Sequence, residues 1–268
     1  MEIIEQFVLG KSGHPHLCED AIVVTDSHAA VIDGATDVSG RSFHGRSGGW
    51  WAMDACRDAL GRLPGDVGVH TALEALTAEL AARAEPGHTA ASVTVYSRAR
   101  REIWQIGDVG FAYRGLPAEI GRPRKLVDRV ATSFRVAVLA AEAAAGRISL
   151  DRVVDDDPGR LAARALVSRQ SAFRNKVGLY GYAAVDGHPV PASLLVVHRV
   201  PDGIDELVIG SDGYPQLGAT LAESESELAR LLAKDPWCVA ELAGTKAVRP
   251  GQVSFDDRAY LRLGLLSL

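Results

Sequence analysis

Residues 29–34 read Ala29-Ala30-Val31-Ile32-Asp33-Gly34, four apolar residues that run straight into a carboxylate and a glycine. So short and β-branched a run predicts a buried strand that ends at Asp33. The pattern recurs twice. Ile103-Trp104-Gln105-Ile106 leads into Gly107-Asp108, and Leu207-Val208-Ile209-Gly210 leads into Ser211-Asp212-Gly213. Two further acidic sites precede strands instead of following them: Glu19-Asp20 before a strand over 21–24, and Asp256-Asp257 before one over 259–263. In an antiparallel sheet the start of one strand lies beside the end of its neighbour, so all five sites can meet at one edge. Any one of them alone is also an ordinary turn signal, and Asp186-Gly187 and Asp202-Gly203 are read as turns only.

Outward from these sites, alternation predicts strands over 3–9, 92–96, 111–113 and 194–200. Helical periodicity appears in Trp50 to Leu63, in Leu73 to Leu80 and across Val136 to Ala145, and another helix starts near Thr220. The acidic run Asp155-Asp156-Asp157 reads as a solvated helix start, with Asp157 as N-cap and Pro158 at the first helical position. Gly115 to Lys125 reads as a loop opening a mostly helical insertion around 115–180 in a single domain over 1–268. This grouping argues against alternating parallel βαβ units and for an α+β fold, an antiparallel sheet covered by helices.

Composition excludes several classes. With 47% hydrophobic and 24% charged residues in a chain of 268, disorder and fibrous structure are ruled out. A net charge of -5 leaves no footprint for nucleic acid, and no Lys/Arg run suggests a membrane surface. Met1 to Gln6 carries acids where a signal peptide carries Lys or Arg, so a cytoplasmic location is expected. Cys18, Cys56 and Cys238, without CxxC spacing, suit reduced thiols.

Two familiar patterns fail their context. Gly10-Lys11-Ser12 resembles the tail of a P-loop, but the first glycine of that motif would fall on Glu5, inside a strand. Gly45-Arg46-Ser47-Gly48-Gly49 fits the nucleophile elbow of serine hydrolases, yet residues 39–44 do not read as the buried strand that must precede it. Several carboxylates gathered at one strand edge are untenable unless cations neutralise them. Hard oxygen ligands without clustered His or Cys select Mg²⁺ or Mn²⁺, and two such ions sharing a carboxylate can activate a water for attack on phosphorus.

Six segments together, Cys18-Glu19-Asp20-Ala21, Val31-Ile32-Asp33-Gly34, Gly87-His88-Thr89-Ala90, Ile106-Gly107-Asp108-Val109, Ser211-Asp212-Gly213 and Ser254-Phe255-Asp256-Asp257, resemble the ordered motifs of the PP2C-type metal-dependent protein serine/threonine phosphatases. The likeness spans residues 3–263 and is that of a divergent, bacterial-like member. It implies a central antiparallel β-sandwich flanked by helices in four layers, αββα, with two Mg²⁺ or Mn²⁺ ions at one end and a third, weaker position. On that likeness Asp33 bridges the two ions, the Gly34 carbonyl ligates one, and Asp212 and Asp256 hold the other. Glu19 acts through metal-bound water, Asp20 supports it, and Asp108 matches the aspartate of the third ion. A metal-bridging hydroxide is then the nucleophile, with Asp20, Asp33 and Asp212 as the catalytic acids.

The chain departs from that pattern at two substrate positions. Where the family often has a phosphate-binding arginine, five residues before Asp20, this chain has Pro15, flanked by His14 and His16. Where a general-acid histidine often follows Asp-Gly, it reads Ala35-Thr36-Asp37. His14, His16, Arg41 and Arg46 are the candidates for phosphate binding, with His44, Arg41 or Arg46 as proton donors. Residues 170–182 match the variable flap by position, read either as a substrate selector or as a surface helix and strand; Lys246 and Arg258 either offset carboxylate charge or face solvent. The expected activity is hydrolysis of phosphoserine and phosphothreonine in proteins. A small phosphate ester as substrate, and a non-catalytic binding module on the same fold, are the alternatives.

Overall fold

The computed structural model describes residues 1–35, 42–83, 89–113, 119–121, 123, 125–149, 153 and 156–265. Numbered in chain order, one five-stranded antiparallel sheet holds β2 (Asp20–Val24), β3 (His28–Gly34), β6 (Ala91–Ser97), β7 (Glu102–Ile106) and β10 (Val196–Arg199), in the order β10-β7-β6-β3-β2. A second holds β1 (Glu2–Leu9), β8 (Gly110–Tyr113), β9 (Glu119–Gly121), β11 (Glu206–Gly210) and β12 (Arg258–Gly264), in the order β1-β12-β11-β8-β9. A short hairpin, β4 (Ser42–Phe43) with β5 (Arg46–Ser47), forms a separate two-stranded sheet among the described residues.

The unbroken apolar run of β3 has a simple cause: both of its faces are covered. Ala30 and Ile32 point into a core shared with helices α1 (Gly48–Gly61) and α2 (Val69–Arg83), while Ala29 and Val31 point between the two sheets. The alternation repeats in the second sheet. Leu207, Ile209, Ala259 and Leu261 face the first sheet; Val208 and Tyr260 face outward, where Tyr214 from the turn after β11 and Leu228 from α5 (Leu221–Lys234) cover them. These layers are αββα, as the resemblance implied.

Helices α3 (Leu126–Ala144) and α4 (Pro158–Val167) pack on each other and on the segment 237–248 through Leu139, Val153 and Ala247. Arg135, fully buried, fastens them. Its guanidinium donates to the carbonyls of Cys238, Gly244 and Trp237 at 2.8–2.9 Å and to Asp157 at 2.9 Å. Asp157 caps α4 by accepting from the Arg160 amide, with Pro158 at the first helical position, as the sequence predicts.

Four details differ from expectation. Helix α3 starts ten residues before Val136 because its buried face, Val127, Ala131, Arg135 and Leu139, carries an arginine inside the apolar stripe. The loop expected over 115–125 contains β9, which pairs with β8. The strand expected over 194–200 is shorter, because Ala192–Leu194 form a tight helical turn ahead of it. Residues 170–182 form neither of the expected regular elements, only a single helical turn at Gln170–Phe173 and one bridge between Arg174 and Tyr182. All three cysteines are buried and free. Among the described residues no helix is long and apolar enough to cross a membrane.

Candidate active site

The two-layer sandwich gathers the acids at one end. Asp20 and Asp33 are direct cross-strand partners in β2 and β3, a like-charge pair that is unfavourable on its own. Asp108 lies where the chain crosses from β7 in one sheet to β8 in the other. Asp212 follows β11 and Asp256-Asp257 precede its antiparallel neighbour β12, so end and start coincide. Close backbone contacts hold the arrangement. A Cβ at Gly34 would lie 2.3 Å from the Gly49 carbonyl oxygen, so only glycine lets the start of α1 press against the end of β3. At Gly213 it would lie 1.9 Å from the Asp257 carbonyl oxygen, which draws Asp212 toward β12.

Electrostatics register the crowding. Burial, then the charges of Asp212, Asp20, Asp108 and Asp256, push the Asp33 carboxyl well above its ordinary range. Asp20 is pushed the same way by burial and by Asp257, Asp212 and Asp256, against a hydrogen bond from Ser211 that favours its ionised form. Its Oδ2 is buried and has no hydrogen-bond partner among the described residues. Three lysines answer the charge elsewhere. Lys11 Nζ lies 3.1 Å from Asp256 Oδ1, 3.2 Å from Asp257 Oδ2 and 3.4 Å from Glu19 Oε2. Burial would lower the Lys11 pKa, but Asp256, Asp257 and Glu19 together outweigh it and hold the ammonium above its ordinary value. Lys246 Nζ lies 3.1 Å from Asp256 Oδ2 and Lys125 Nζ 3.0 Å from Asp108 Oδ2, while Ser92 Oγ donates to Asp108 Oδ1 at 2.6 Å. Burial alone would raise both of these aspartates; their lysines win and hold them below the ordinary range.

The donor chemistry suits a hard divalent cation, with crowded carboxylates, an orphaned buried oxygen on Asp20 and no imidazole or thiolate among them. The arrangement is looser than a finished site. As the side chains stand, no group of three or more His, Cys, Asp or Glu among the described residues is set to hold an ion, and ammonium groups lie among the acids instead.

Above the acids opens a cavity of about 900 Å³, lined by Asp33, Gly34, Asp108, Asp212 and Asp256 at one end and by Arg160, Arg164 and Arg249 on α4 and the segment after 244. Burial, followed by the approach of Arg249, lowers the Arg160 pKa. His14 and His16 do not line the cavity: their rings lie 5.7 Å apart on an exposed turn. Nor does Arg46, whose guanidinium donates to the His16 carbonyl and lies over the Trp50 ring. His44 packs edge-on to Trp51. Arg41, Thr36, Asp37, Gly87 and His88 lie outside the described residues. Ser47 is the N-cap of α1, accepting from the Trp50 amide while its hydroxyl donates to Glu19, and it ends the two-residue β5. Arg258 leaves the acids to Lys246 and pairs with Glu225 of α5.

Lys11 and Lys125 escaped the sequence reading as site residues, and Asp257, read there only as part of the acidic pair before β12, has a bracing role of its own. Asp257 accepts the Lys11 amide at 2.7 Å and the Glu19 amide at 3.1 Å, tying the 10–19 turn to β12. A usable signal existed for Lys11. β1 runs antiparallel to β12 with Leu9 opposite Arg258, so continuing that register sets Lys11, two residues after β1, beside Asp256.

Compared by sequence, the chain matches no family model and no curated protein. Compared by structure, it superposes on the serine/threonine phosphatase PstP/Ppp of Mycobacterium tuberculosis with a TM-score of 0.51 and 16% identity, over 98% of each chain. The serine/threonine phosphatase Stp1 of Staphylococcus aureus gives 0.50 and 12%, over 100% of this chain and 96% of that one. Two five-stranded antiparallel sheets between helical layers, matched from end to end by these structures, give this chain the fold of the bacterial PP2C-type serine/threonine phosphatases.

Proposed function

We propose that the chain is a Mg²⁺- or Mn²⁺-dependent phosphomonoester hydrolase acting on phosphoserine and phosphothreonine in proteins. The observation that carries this reading is the crowding of Asp20, Asp108, Asp212 and Asp256 around Asp33, whose carboxyl is driven to keep its proton when no cation is present. Asp33, Asp212, Asp20 and the Gly34 carbonyl are the groups that would hold an ion. When bound, a divalent ion polarises the phosphoryl oxygens and activates a water for attack on phosphorus.

The chain's own residues supply the rest. Asp20 and Asp33 would hold an ion through their ionised carboxylates. Arg160, Arg164 and Arg249 offer the phosphate cationic partners inside the cavity, whereas His14, His16 and Arg46 engage other groups. A cavity of about 900 Å³ has room for a loop of polypeptide beside the phosphate, which favours a protein over a small ester. The ammonium groups on Asp256 and Asp108 are what favour a second reading, a phosphate-binding module without turnover.

Phosphoserine and phosphothreonine peptides and a small aryl phosphate, assayed side by side with Mn²⁺, separate these readings. Faster release from the peptides, reduced by about 10²-fold or more in Asp212→Asn, is expected, the scale on which one charge-stabilising group tells. Preference for the aryl ester would favour a small-molecule phosphatase; binding without release from either would leave the module.

A further inference from the structure

We infer that this centre takes one divalent ion, because the ammonium groups of Lys11 and Lys246 fill the position that Asp256 would otherwise give to a second. The inference rests on the metal-dependent reading above and deepens it.

The argument starts from the oxygens of Asp256. Oδ1 receives Lys11 Nζ at 3.1 Å and the Asp257 amide at 3.0 Å, and Oδ2 receives Lys246 Nζ at 3.1 Å. Both oxygens are therefore committed to donors of the chain itself. An ammonium carries three N–H donors, and three carboxylates, those of Glu19, Asp256 and Asp257, lie within 3.4 Å of Lys11 Nζ. Lysine suits such a place: it is a compact point charge on a flexible stem, whereas a guanidinium is a flat fork.

Lys11 is also anchored for it. Its amide donates to Asp257 at 2.7 Å, and the Gly10-to-Gly13 turn fixes where its stem begins. The same arrangement recurs at Asp108, where Lys125 lies 3.0 Å from Oδ2 and 5.1 Å from the centre of the Tyr182 ring. Asp20 and Asp33 differ. Asp20 Oδ2 is buried with no hydrogen-bond partner among the described residues, and Asp33 stands directly opposite it across β2 and β3. Cationic side chains thus meet the acids at Asp256 and Asp108, and the demand for an added cation is concentrated at the Asp20–Asp33 pair.

A tethered ammonium neutralises one charge and lacks the Lewis acidity of a divalent ion. Its gain is permanence, since it needs no free metal to occupy its place.

The test is a count. Protein stripped with chelator is dialysed against excess Mn²⁺, bound manganese is measured per chain, and the electron paramagnetic resonance spectrum is recorded frozen. The wild type should bind one ion and give the six-line spectrum of an isolated Mn(II). The double variant Lys11→Met, Lys246→Met should bind two and give the multiline spectrum of an interacting pair. Two ions in the wild type would overturn the inference, as would a folded double variant that still binds one. The wild-type count decides even if the variant does not fold. One ion without phosphatase activity would remove the hydrolase reading and leave this inference standing; no ion in either protein would remove both.

Discussion

Asp33 and Asp20 each hold a proton more tightly in the folded chain than in the unfolded one. The native state therefore binds more protons than the unfolded state between the ordinary carboxylate range near pH 4 and the raised values, and stability falls as pH rises through that window. Asp108 and Asp256, held low by their lysines, act oppositely and lose their contribution only as pH falls below the ordinary range. Metal-free protein should accordingly melt at a lower temperature at about pH 8 than at about pH 5, and Asp33→Asn should remove part of that fall while abolishing turnover. Saturating Mn²⁺ should flatten the same profile. Scanning calorimetry across pH checks this; a metal-free melting temperature that rises from about pH 5 to about pH 8 would contradict the crowding of the two acids. At this scale the acids were legible because each ends or begins an apolar run. Of the lysines only Lys246 was read as a partner for the acids; Lys11 and Lys125 were not, since a lysine in sequence reads as a solvated charge unless the strand pairing beside it is known.

At the scale of elements, the start of α1 shows how one short segment serves fold and site together. Ser47 caps the helix and holds Glu19, and Gly49 lets the helix press on Gly34. Ser47→Ala should therefore cost about 1 kcal/mol for the lost cap, and melting temperature moves by about 2–4 °C per kcal/mol in chains approaching this size. Metal-dependent turnover should persist in that variant at a reduced rate. Loss of a metal-independent esterase activity on the same substitution would instead restore the nucleophile elbow. Strands over 29–34, 103–106 and 207–210 could be read because burial on both faces makes each a compact apolar block. Helix α3 was read short because Arg135 interrupts its stripe, and β9 was hidden in a segment with glycine and proline at its borders.

On the scale of the whole molecule, the site exists only when the fold is complete. Its groups come from residues 11 to 257, and the two ends of the chain are joined where β1 pairs with β12. The four-layer order was implied by the family resemblance, whereas periodicity alone gave an antiparallel sheet covered by helices; the covers are α1 and α2 on one side and α5 on the other. The packing of α3 and α4 over the segment 237–248 was not, since it hangs on carbonyl groups that any sequence would offer to Arg135. Central to the whole account is that these acids form a metal-dependent phosphatase centre. The most direct test is hydrolysis of an aryl phosphate by purified protein, with Mn²⁺ and with chelator, beside Asp33→Asn. Turnover that requires Mn²⁺ and vanishes in Asp33→Asn is predicted; equal turnover with chelator, or an Asp33→Asn variant as active as the wild type, would contradict it.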